Sequence, residues 1–449
     1  MLDTIAAIST AFGKGALSIV RMSGNEAIEI ANKLFKGKNL NKVKSHTVHY
    51  GHIVDEGEII DEVLLTVFRA PKTFTREDVV EISCHGGIFV TNKILELLLL
   101  KGARLAEPGE FTKRAYMNGR IDLTQAEAVS DIIDARTKSS LKLANIGLRG
   151  DIKKLIEGFR SEVLTCIARI EVNIDYPEYE DEEQITTEII IPVISDLLVK
   201  VNNIIEKSEA SQVIKEGIKT AIIGKPNVGK SSLLNSLLRE DKAIVTDIAG
   251  TTRDVVEGIV SVGGVILNLI DTAGIRETSD VVEKIGVEKT KAVINDAELI
   301  ILVFDYSNEL DQQDLEILEK TKNKTRIIVV NKQDLDQKID LSILDNYLLI
   351  STFNQNDIDR LESKIKEVTN ISNITNIDST YLGNARQIAK LKEARNNLEH
   401  ALISSKENQV IDMINIDLTL AWKALGEIIG EDNPDALLDE LFSKFCLGK

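Results

Sequence analysis

The sequence predicts a multidomain protein of α+β and α/β class: an N-terminal α+β domain, a helical domain built from two chain segments, and a doubly wound α/β domain inserted between those segments. Three observations carry this expectation. The chain has 449 residues, more than one hydrophobic core usually organises, since domains run to about 100 to 200 residues. Strand-length apolar runs gather in two regions and apolar spacing of helical period in two others. With 43% hydrophobic and 28% charged residues and only 6 prolines and 27 glycines, the composition is that of a globular chain with little room for disordered linkers.

Residues 1–118 read as the α+β domain, because runs such as HTVHYGHIV and EVLLTVFRA alternate with a helical stretch from Val90 to Leu100. Residues 119–215 read as the first helical part. There Ile152, Leu155, Ile156, Phe159, Val163, Ile167, Ile170 and Ile174 recur at steps of three and four and line one helix face. In residues 216–372 the runs TAIIG, VILNLID, LIILVFD and RIIVVNK have the near-continuous apolar character of buried parallel strands. Residues 373–449 return to helix, with Ile411, Ile414, Leu418, Ala421, Trp422, Leu425 and Ile429 in register. A last helix is expected to begin with Asn433 as cap and Pro434 as its first residue. The two helical stretches are expected to share a core, because amphipathic helices need a partner for their apolar faces. The acidic stretch from Asp175 to Glu183 reads as a solvated turn.

Fifty-four Lys and Arg against 71 Asp and Glu leave a net charge of −17, which repels nucleic acid unless basic residues collect on one face. Lys33, Lys36, Lys38, Lys42 and Lys44 form a local exception, read here as a solvated surface. Cys84, Cys166 and Cys446 are isolated and lack CxxC spacing, so neither a zinc site nor a disulfide framework is indicated. No apolar run approaches the roughly 18 residues of a membrane span. The opening MLDTIAAISTAFGKGALSIVRMSG lacks a basic segment before its apolar stretch. The expected address is cytoplasmic, with no membrane partner.

Chemistry concentrates in the α/β region. GKPNVGKS, from Gly224, follows the strand TAIIG and precedes the helical SLLNSLL, the context that a phosphate-binding loop requires. Backbone N–H groups through Asn227, Val228, Gly229, Lys230, Ser231 and Ser232 would wrap phosphates. Lys230 would serve the β- and γ-phosphates and the Ser231 hydroxyl would ligate Mg²⁺. DTAG, comprising Asp271, Thr272, Ala273 and Gly274, ends the run VILNLI, where the aspartate can hold magnesium through water and Gly274 can offer its N–H to the γ-phosphate. NKQD ends the strand RIIVV. In it Asn331, Lys332 and Asp334 resemble the guanine-reading motif, with Asp334 accepting from the base's N1–H and 2-amino group.

Between them TDIAGTTRD resembles a switch loop, in which Thr246, Asp247, Ile248, Ala249, Gly250 and Thr251 lead to Thr252, the threonine that would reach Mg²⁺ and the γ-phosphate. Ser351 in LLIST takes the place of the last base-contacting loop, followed by threonine where alanine is common. Three motifs in this order point to a chain that binds and hydrolyses GTP. Ile275 follows DTAG where Ras-like GTPases place a water-orienting glutamine, so hydrolysis is expected to use another device.

Outside the nucleotide motifs, SIVRMSG, EDVVEISCHGG, EPGEFTKRAYMNGRIDLTQAEAVSDIIDA and the terminal FCLGK resemble the MnmE (TrmE) family, tRNA-modifying GTPases that act on the wobble uridine. The resemblance covers both ends of the chain. It implies nucleotide domains that pair face to face across K⁺, with Asn227, the backbone oxygens of Thr246 and Ile248, and Thr251 as ligands, and Glu283 orienting the attacking water. It implies a folate-binding N-terminal domain that also holds a constitutive homodimer. There Arg21, Glu81, Arg120 and Lys449 would contact a one-carbon donor, 5,10-methylenetetrahydrofolate or 5-formyltetrahydrofolate; the family commonly has lysine where Arg120 stands, and the two cations differ in hydrogen-bond geometry.

The terminal FCLGK leaves two readings of Cys446: a thiol presented to a substrate carbon, or a small buried residue beside Phe445. The resemblance favours the first. It also implies a heterotetramer with an FAD- and NADH-using partner (MnmG, or GidA), in which GTP hydrolysis is coupled to addition of a (carboxymethyl)aminomethyl group at C5 of the uridine. The competing class is a GTP-driven switch in ribosome or RNA assembly, for which an evidently basic RNA-binding module would be expected.

Overall fold

The computed structural model describes residues 3–175, 185–238, 258–262, 265–270, 292–369, 382–407, 409–431, 434–446 and 448. The chain divides into two compact units, Met1–Ser130 with Lys423–Lys449, and Asp131–Trp422. The first holds a seven-stranded sheet of β1 (Ile5–Ile8), β2 (Leu17–Ser23), β3 (Phe35–Lys36), β4 (Thr47–Asp55), β5 (Glu58–Phe68), β6 (Val79–His85) and β7 (Arg104–Leu105), ordered β3-β4-β5-β6-β2-β1-β7. Every neighbouring pair is antiparallel except β1 with β7. Alternate residues of the strands turn inward, so Val20, Met22, Leu65 and Ile82 pack with Ile30 of α1 (Ala27–Leu34) and Ile94 and Leu98 of α2 (Ile88–Leu100).

Past β7 the chain forms α3 (Glu110–Met117) and enters α4 (Leu123–Asp134). Ala115 and Leu123 share a small apolar cluster with Phe442 and Phe445 of the C-terminal segment, and the Tyr116 hydroxyl donates to Gly430 O at 2.6 Å. Gly109 enters α3 at φ 70°, where a Cβ would lie 2.5 Å from Phe442 O. Only glycine lets the two stretches close up at that point. The C-terminal helix runs Asp435–Ser443 with Pro434 as its extended cap residue, φ −62° and ψ 142°. That places its start one residue later than the cap signal suggested, and Asn433 lies outside the described residues.

Arg114 is the largest fully buried side chain of this unit. Its guanidinium reaches Asp3 and Glu110 at 2.9 Å and Glu77 at 3.3 Å, while Arg104 bonds the same Glu110 at 2.6 Å and also Asp3. Hydrogen bonds from Arg104 and then Arg114 hold the Asp3 carboxyl below its ordinary value. Burial alone would raise Glu110, but the Arg104 bond, the Glu107 N–H and Arg114 outweigh it and depress that group as well. Burial pushes the Cys166 thiol of the second unit up to about 11.

In the second unit α5 (Lys138–Leu148), α6 (Asp151–Asp175) and α7 (Ile191–Glu216) precede a six-stranded sheet. Its elements are β8 (Ile218–Ile223), α8 (Lys230–Leu238), β9 (Gly258–Val262), β10 (Val265–Leu269), β11 (Leu299–Asp305), α9 (Gln312–Lys320), β12 (Arg326–Asn331), β13 (Tyr347–Leu349) and α10 (Gln355–Val368). The order is β13-β12-β11-β8-β10-β9, parallel throughout except for the edge strand β9. Each face carries its own core. Leu299, Ile301 and Val303 of β11 pack on one side with Leu233 and Leu361, and Ile300, Leu302 and Phe304 pack on the other with Ala221 and Ile328. A strand covered on both faces needs apolar residues at every position, which is why LIILVFD reads as an unbroken run. The fold class is therefore the one the sequence predicts, an α+β unit and a doubly wound α/β sheet with helices.

Along α6 the expected face is buried at Ile152, Ile156, Phe159, Val163, Ile167 and Ile170, but Ile174 is 43% exposed. In the last turn Asn173, the preceding residue, takes the buried position instead. α11 (Ala385–Lys406) lies against α7, and Ser208 Oγ accepts the Leu382 N–H at 2.9 Å. The boundary between the units falls inside α12 (Ile411–Ile429), whose Trp422 ring carries the Arg160 guanidinium 4.0 Å from its centroid. The second helical stretch thus packs against the first through α11 and α7, and α12 contributes to both units. Among the described residues no helix is long and apolar enough to cross a membrane.

Gly217 joins α7 to β8. Its φ is 77°, and a Cβ there would meet Ile266 Cγ2 at 2.7 Å, Ile266 O at 2.8 Å and Asn268 Nδ2 at 2.9 Å; the Asn268 amide also donates to Glu216 O at 2.8 Å and so caps α7. Gly217→Ala is expected to destabilise this unit by about 2 kcal/mol or more, from left-handed strain and crowding together. Calorimetry should register a melting temperature lower by about 4 °C or more, and an unchanged transition would mean that the junction yields without strain.

Candidate functional site

The loop Gly224–Gly229 links β8, a central strand, to α8, and so presents its N–H groups at the carboxyl ends of the parallel strands. Two glycines are required for different reasons. A Cβ on Gly224 would run into Val303 O of the neighbouring strand, and one on Gly229, at φ 100°, would run into the Asn331 side chain. Asn227 also has positive φ, 65°, a conformation that asparagine tolerates better than most side chains. Val228 is buried and Ser232 is exposed in the first turn of α8, next to Ser231.

The Lys230 ammonium folds back over the loop and donates to Gly224 O and Lys225 O, both at 2.7 Å. Burial lowers its pKa from the ordinary lysine value. Lys225 extends the other way, to Asp311 and Asp314 at 2.6 Å each, and ties the loop to the start of α9.

Asn331 and Lys332 hold this loop from the side. Asn331 is buried; its amide nitrogen donates to Val228 O at 3.0 Å, while its Oδ1 has no partner among the described residues. Lys332, at φ 68°, donates to Asn227 O at 2.7 Å and to Asp305 Oδ2 at 2.6 Å. Burial would raise the Asp305 carboxyl, but bonds from Lys332 and Ser307 more than compensate and hold it below its usual value. Asp334 is exposed and its Oδ1 accepts from Ser351 Oγ at 2.7 Å. The Ser351 N–H in turn donates to Asp357 at 3.0 Å, and Gln333 also bonds Asp357. The structure therefore brings Asn227, Val228, Gly229, Lys230, Asn331 and Lys332 into one hydrogen-bonded body, and the Asp334–Ser351 bond joins the loop after β12 to the loop after β13.

Sequence reasoning missed Asp305 and Asp357, which anchor that body from beneath. The signal for Asp305 was present, a carboxylate closing an apolar central strand. Asp357, in the first turn of α10, gave none. Thr246, Asp247, Ile248, Ala249, Gly250, Thr251, Thr252, Asp271, Thr272, Ala273, Gly274 and Glu283 lie outside the described residues, as does Lys449.

In the N-terminal unit Arg21 and Glu81 are direct cross-strand partners on β2 and β6. Arg21 Nε and Nη2 both approach Glu81 Oε1 at 2.8 Å, Nη1 donates to Gly448 O at 3.3 Å, and the guanidinium carbon stands 5.8 Å from the Phe111 ring centroid. Gly448, at φ 86°, also accepts from Ser9 Oγ at 3.3 Å, so the chain end is seated on the sheet. Arg120 is exposed, and its backbone N–H donates to Ala115 O at 2.8 Å; among the described residues its side chain makes no bond to Glu81. Cys446 is exposed and free, which decides against the buried reading: Phe442 and Phe445 take the interior positions and leave the thiol outside.

The family model described as the MnmE helical domain matches residues 123–446, and the one described as the GTP-binding protein TrmE N-terminus matches residues 4–120. The tRNA modification GTPase MnmE of Streptococcus thermophilus (strain CNRZ 1066) is 53% identical over 449 residues, covering 100% of this chain and 98% of that protein. That of Lactococcus lactis subsp. lactis (strain IL1403) is 52% identical over 448 residues, with the same coverage. Among solved structures, the G domain of the T. maritima FeoB iron transporter is 29% identical and covers 34% of this chain and 98% of its own, at a TM-score of 0.25. Family matches spanning both units, and relatives sharing half their residues over nearly their whole length, place the chain in the MnmE (TrmE) family of tRNA modification GTPases.

Proposed function

We propose that the chain is a K⁺-stimulated GTPase that works as a homodimer and, with an FAD-dependent partner, couples GTP hydrolysis to folate-dependent addition of a (carboxymethyl)aminomethyl group at C5 of the tRNA wobble uridine. The observation that carries the GTPase part is the phosphate loop locked to the NKQD loop through Asn331 and Lys332. In this reading the Lys230 ammonium exchanges its loop carbonyls for phosphate oxygens, and Asp334 reads guanine. Ser231 offers a hydroxyl oxygen in the first turn of α8, the hard donor that Mg²⁺ prefers. Asn227 carries a side-chain oxygen at the crest of the loop, suited to K⁺. When bound, the cations would neutralise charge developing on the phosphates. Thr252 and Asp271 for magnesium, Thr246, Ile248 and Thr251 for potassium, and Glu283 for the attacking water complete the proposal.

In the N-terminal unit the Arg21–Glu81 pair supplies a fixed cation and carboxylate for a folate. The exposed Cys446 thiol stands at the end of the same segment that Gly448 anchors, with Arg120 and Lys449 as further contacts. The protein is taken to act in the cytoplasm.

Hydrolysis should be several-fold faster in K⁺ than in Na⁺ at equal ionic strength. The preference should vanish in Asn227→Gly, which keeps the positive φ and removes only the side-chain ligand, and Glu283→Ala should hydrolyse slowly in either salt. Equal wild-type rates in both salts would discard the cation-bridged mechanism and leave an ordinary GTP switch.

A further inference from the structure

Between Ala31 and Val54 the chain has five lysines and three histidines and not one Asp or Glu, in a protein whose net charge is −17. Lys33 pairs with Glu29 at 3.0 Å. Lys36, Lys38, Lys42 and Lys44 are exposed and, among the described residues, no carboxylate lies within ion-pair distance of any of them. Four uncompensated ammonium groups so close in sequence repel one another, which favours a polyanionic neighbour.

The backbone beneath them is fixed. Asn39 Oδ1 accepts from Asn41 N at 3.0 Å and Asn32 Oδ1 from Leu40 N at 2.8 Å. The Arg69 guanidinium spans the turn, donating to Val43 O, Leu40 O and Asn41 O, each at 3.1 Å. The apolar residues interleaved with the lysines, Phe35, Leu40 and Val43, are all buried, whereas Val48 and Tyr50, beyond the lysine run on β4, are exposed. Lys36 follows Phe35 on a strand, Lys42 closes the short 3-10 turn Leu40–Lys42 and Lys44 follows the extended Val43; each is exposed beside a buried apolar neighbour.

We propose that this rim of the N-terminal unit, Lys36, Lys38, Lys42 and Lys44, is the surface through which the chain contacts the phosphate backbone of its tRNA. The proposal rests on the reading of the chain as acting on tRNA. A membrane fits less well, because an interfacial segment needs apolar side chains exposed among its basic ones, and those that alternate with Lys36, Lys42 and Lys44 are turned into the core. Lysines act as point charges without the planar fork of arginine, and the nearest arginine, Arg69, is spent on carbonyls. The contact therefore positions RNA without reading its sequence. Four contacts are few, which suits a chain that shares its RNA with a partner.

The test compares wild type with the quadruple Lys36→Gln, Lys38→Gln, Lys42→Gln, Lys44→Gln variant of the full chain, by fluorescence anisotropy of labelled total tRNA across a salt series. GTP hydrolysis serves as the control and should be unchanged. The variant should lose at least about tenfold in affinity at low salt, and its log–log salt slope should flatten by about 3, as expected when about four phosphate contacts are removed. Equal affinity and slope in the two proteins would overturn the proposal, as would absence of wild-type binding at low salt or equally tight binding to phosphatidylserine vesicles. The tRNA reading itself is judged separately, by mass spectrometry of wobble nucleosides from cells lacking the chain: unmodified uridine upholds it whatever the binding result.

Discussion

Asp334→Asn is expected to weaken GTP and GDP by about 10³-fold or more and to make xanthosine nucleotides the better ligands. The carboxylate is already oriented by Ser351 Oγ at 2.7 Å, and Ser351 is itself held by Asp357, so the substitution changes chemistry at a fixed position. Guanine offers two donors, N1–H and the 2-amino group; an amide presents a donor of its own against one of them and leaves polar groups unpaired in the complex. Sites that hydrogen-bond a ligand reject the mismatched analogue by about 10⁴ to 10⁵, and the exposure of Asp334 brings the expectation below that range, to about 10³. Xanthine carries a carbonyl where guanine has its amino group and accepts what the amide donates. Calorimetric titration with GDP and xanthosine diphosphate measures both arms. A variant that binds GDP as wild type does would remove Asp334 from base recognition. Ser351→Ala should give the same kind of effect, reduced to about tenfold, because the carboxylate stays but loses its orientation.

The second large effect concerns stability. Arg114→Met should destabilise the N-terminal unit by about 3 kcal/mol, the lower end for breaking a buried charged network by removing one partner. The lower end applies because Arg104 still serves Glu110 and Ser23 still donates to Glu77, while Asp3 is half exposed. Arg114→Lys keeps the charge but not the fork and should fall between.

The pH dependence follows from the depressed carboxyls of Asp3 and Glu110. Their contribution is fully present above the ordinary carboxylate value of about 4 and is lost as pH falls through their lower folded values. Wild type should therefore lose stability in that acid window more steeply than Arg114→Met, which has less to lose. Chemical denaturation followed at several pH values tests this, and parallel profiles for the two proteins would show that the network carries no pH-dependent stability.

What could be read from the sequence was whatever repeats locally. Alternating burial on both faces makes LIILVFD apolar throughout, and a strand, a glycine loop and a helix follow one another within residues 218–238, so the α/β sheet was legible from pattern. The helical face of α6 was legible until Ile174, where the polar Asn173 takes the buried position and apolar spacing misleads. What pattern could not reveal is set by groups distant in sequence: the bonds from Asn331 and Lys332 to residues 227 and 228, the support of Ser351 by Asp357, and the division of α12 between the units. The exposure of Cys446 depends on which of its neighbours, Phe442 and Phe445, claim the interior, and FCLGK alone does not tell.

The junction at Gly217 has a mechanical consequence. α7 has 26 residues and at about 1.5 Å per residue is a rod of roughly 39 Å, fastened at one end to β10 by the Asn268 amide and by the close approach of Gly217 to Ile266. A tilt of β10 by about 10° carried through this attachment would swing the far end of the rod by roughly 7 Å, so the length of the helix magnifies any small displacement of the strand to which it is fastened.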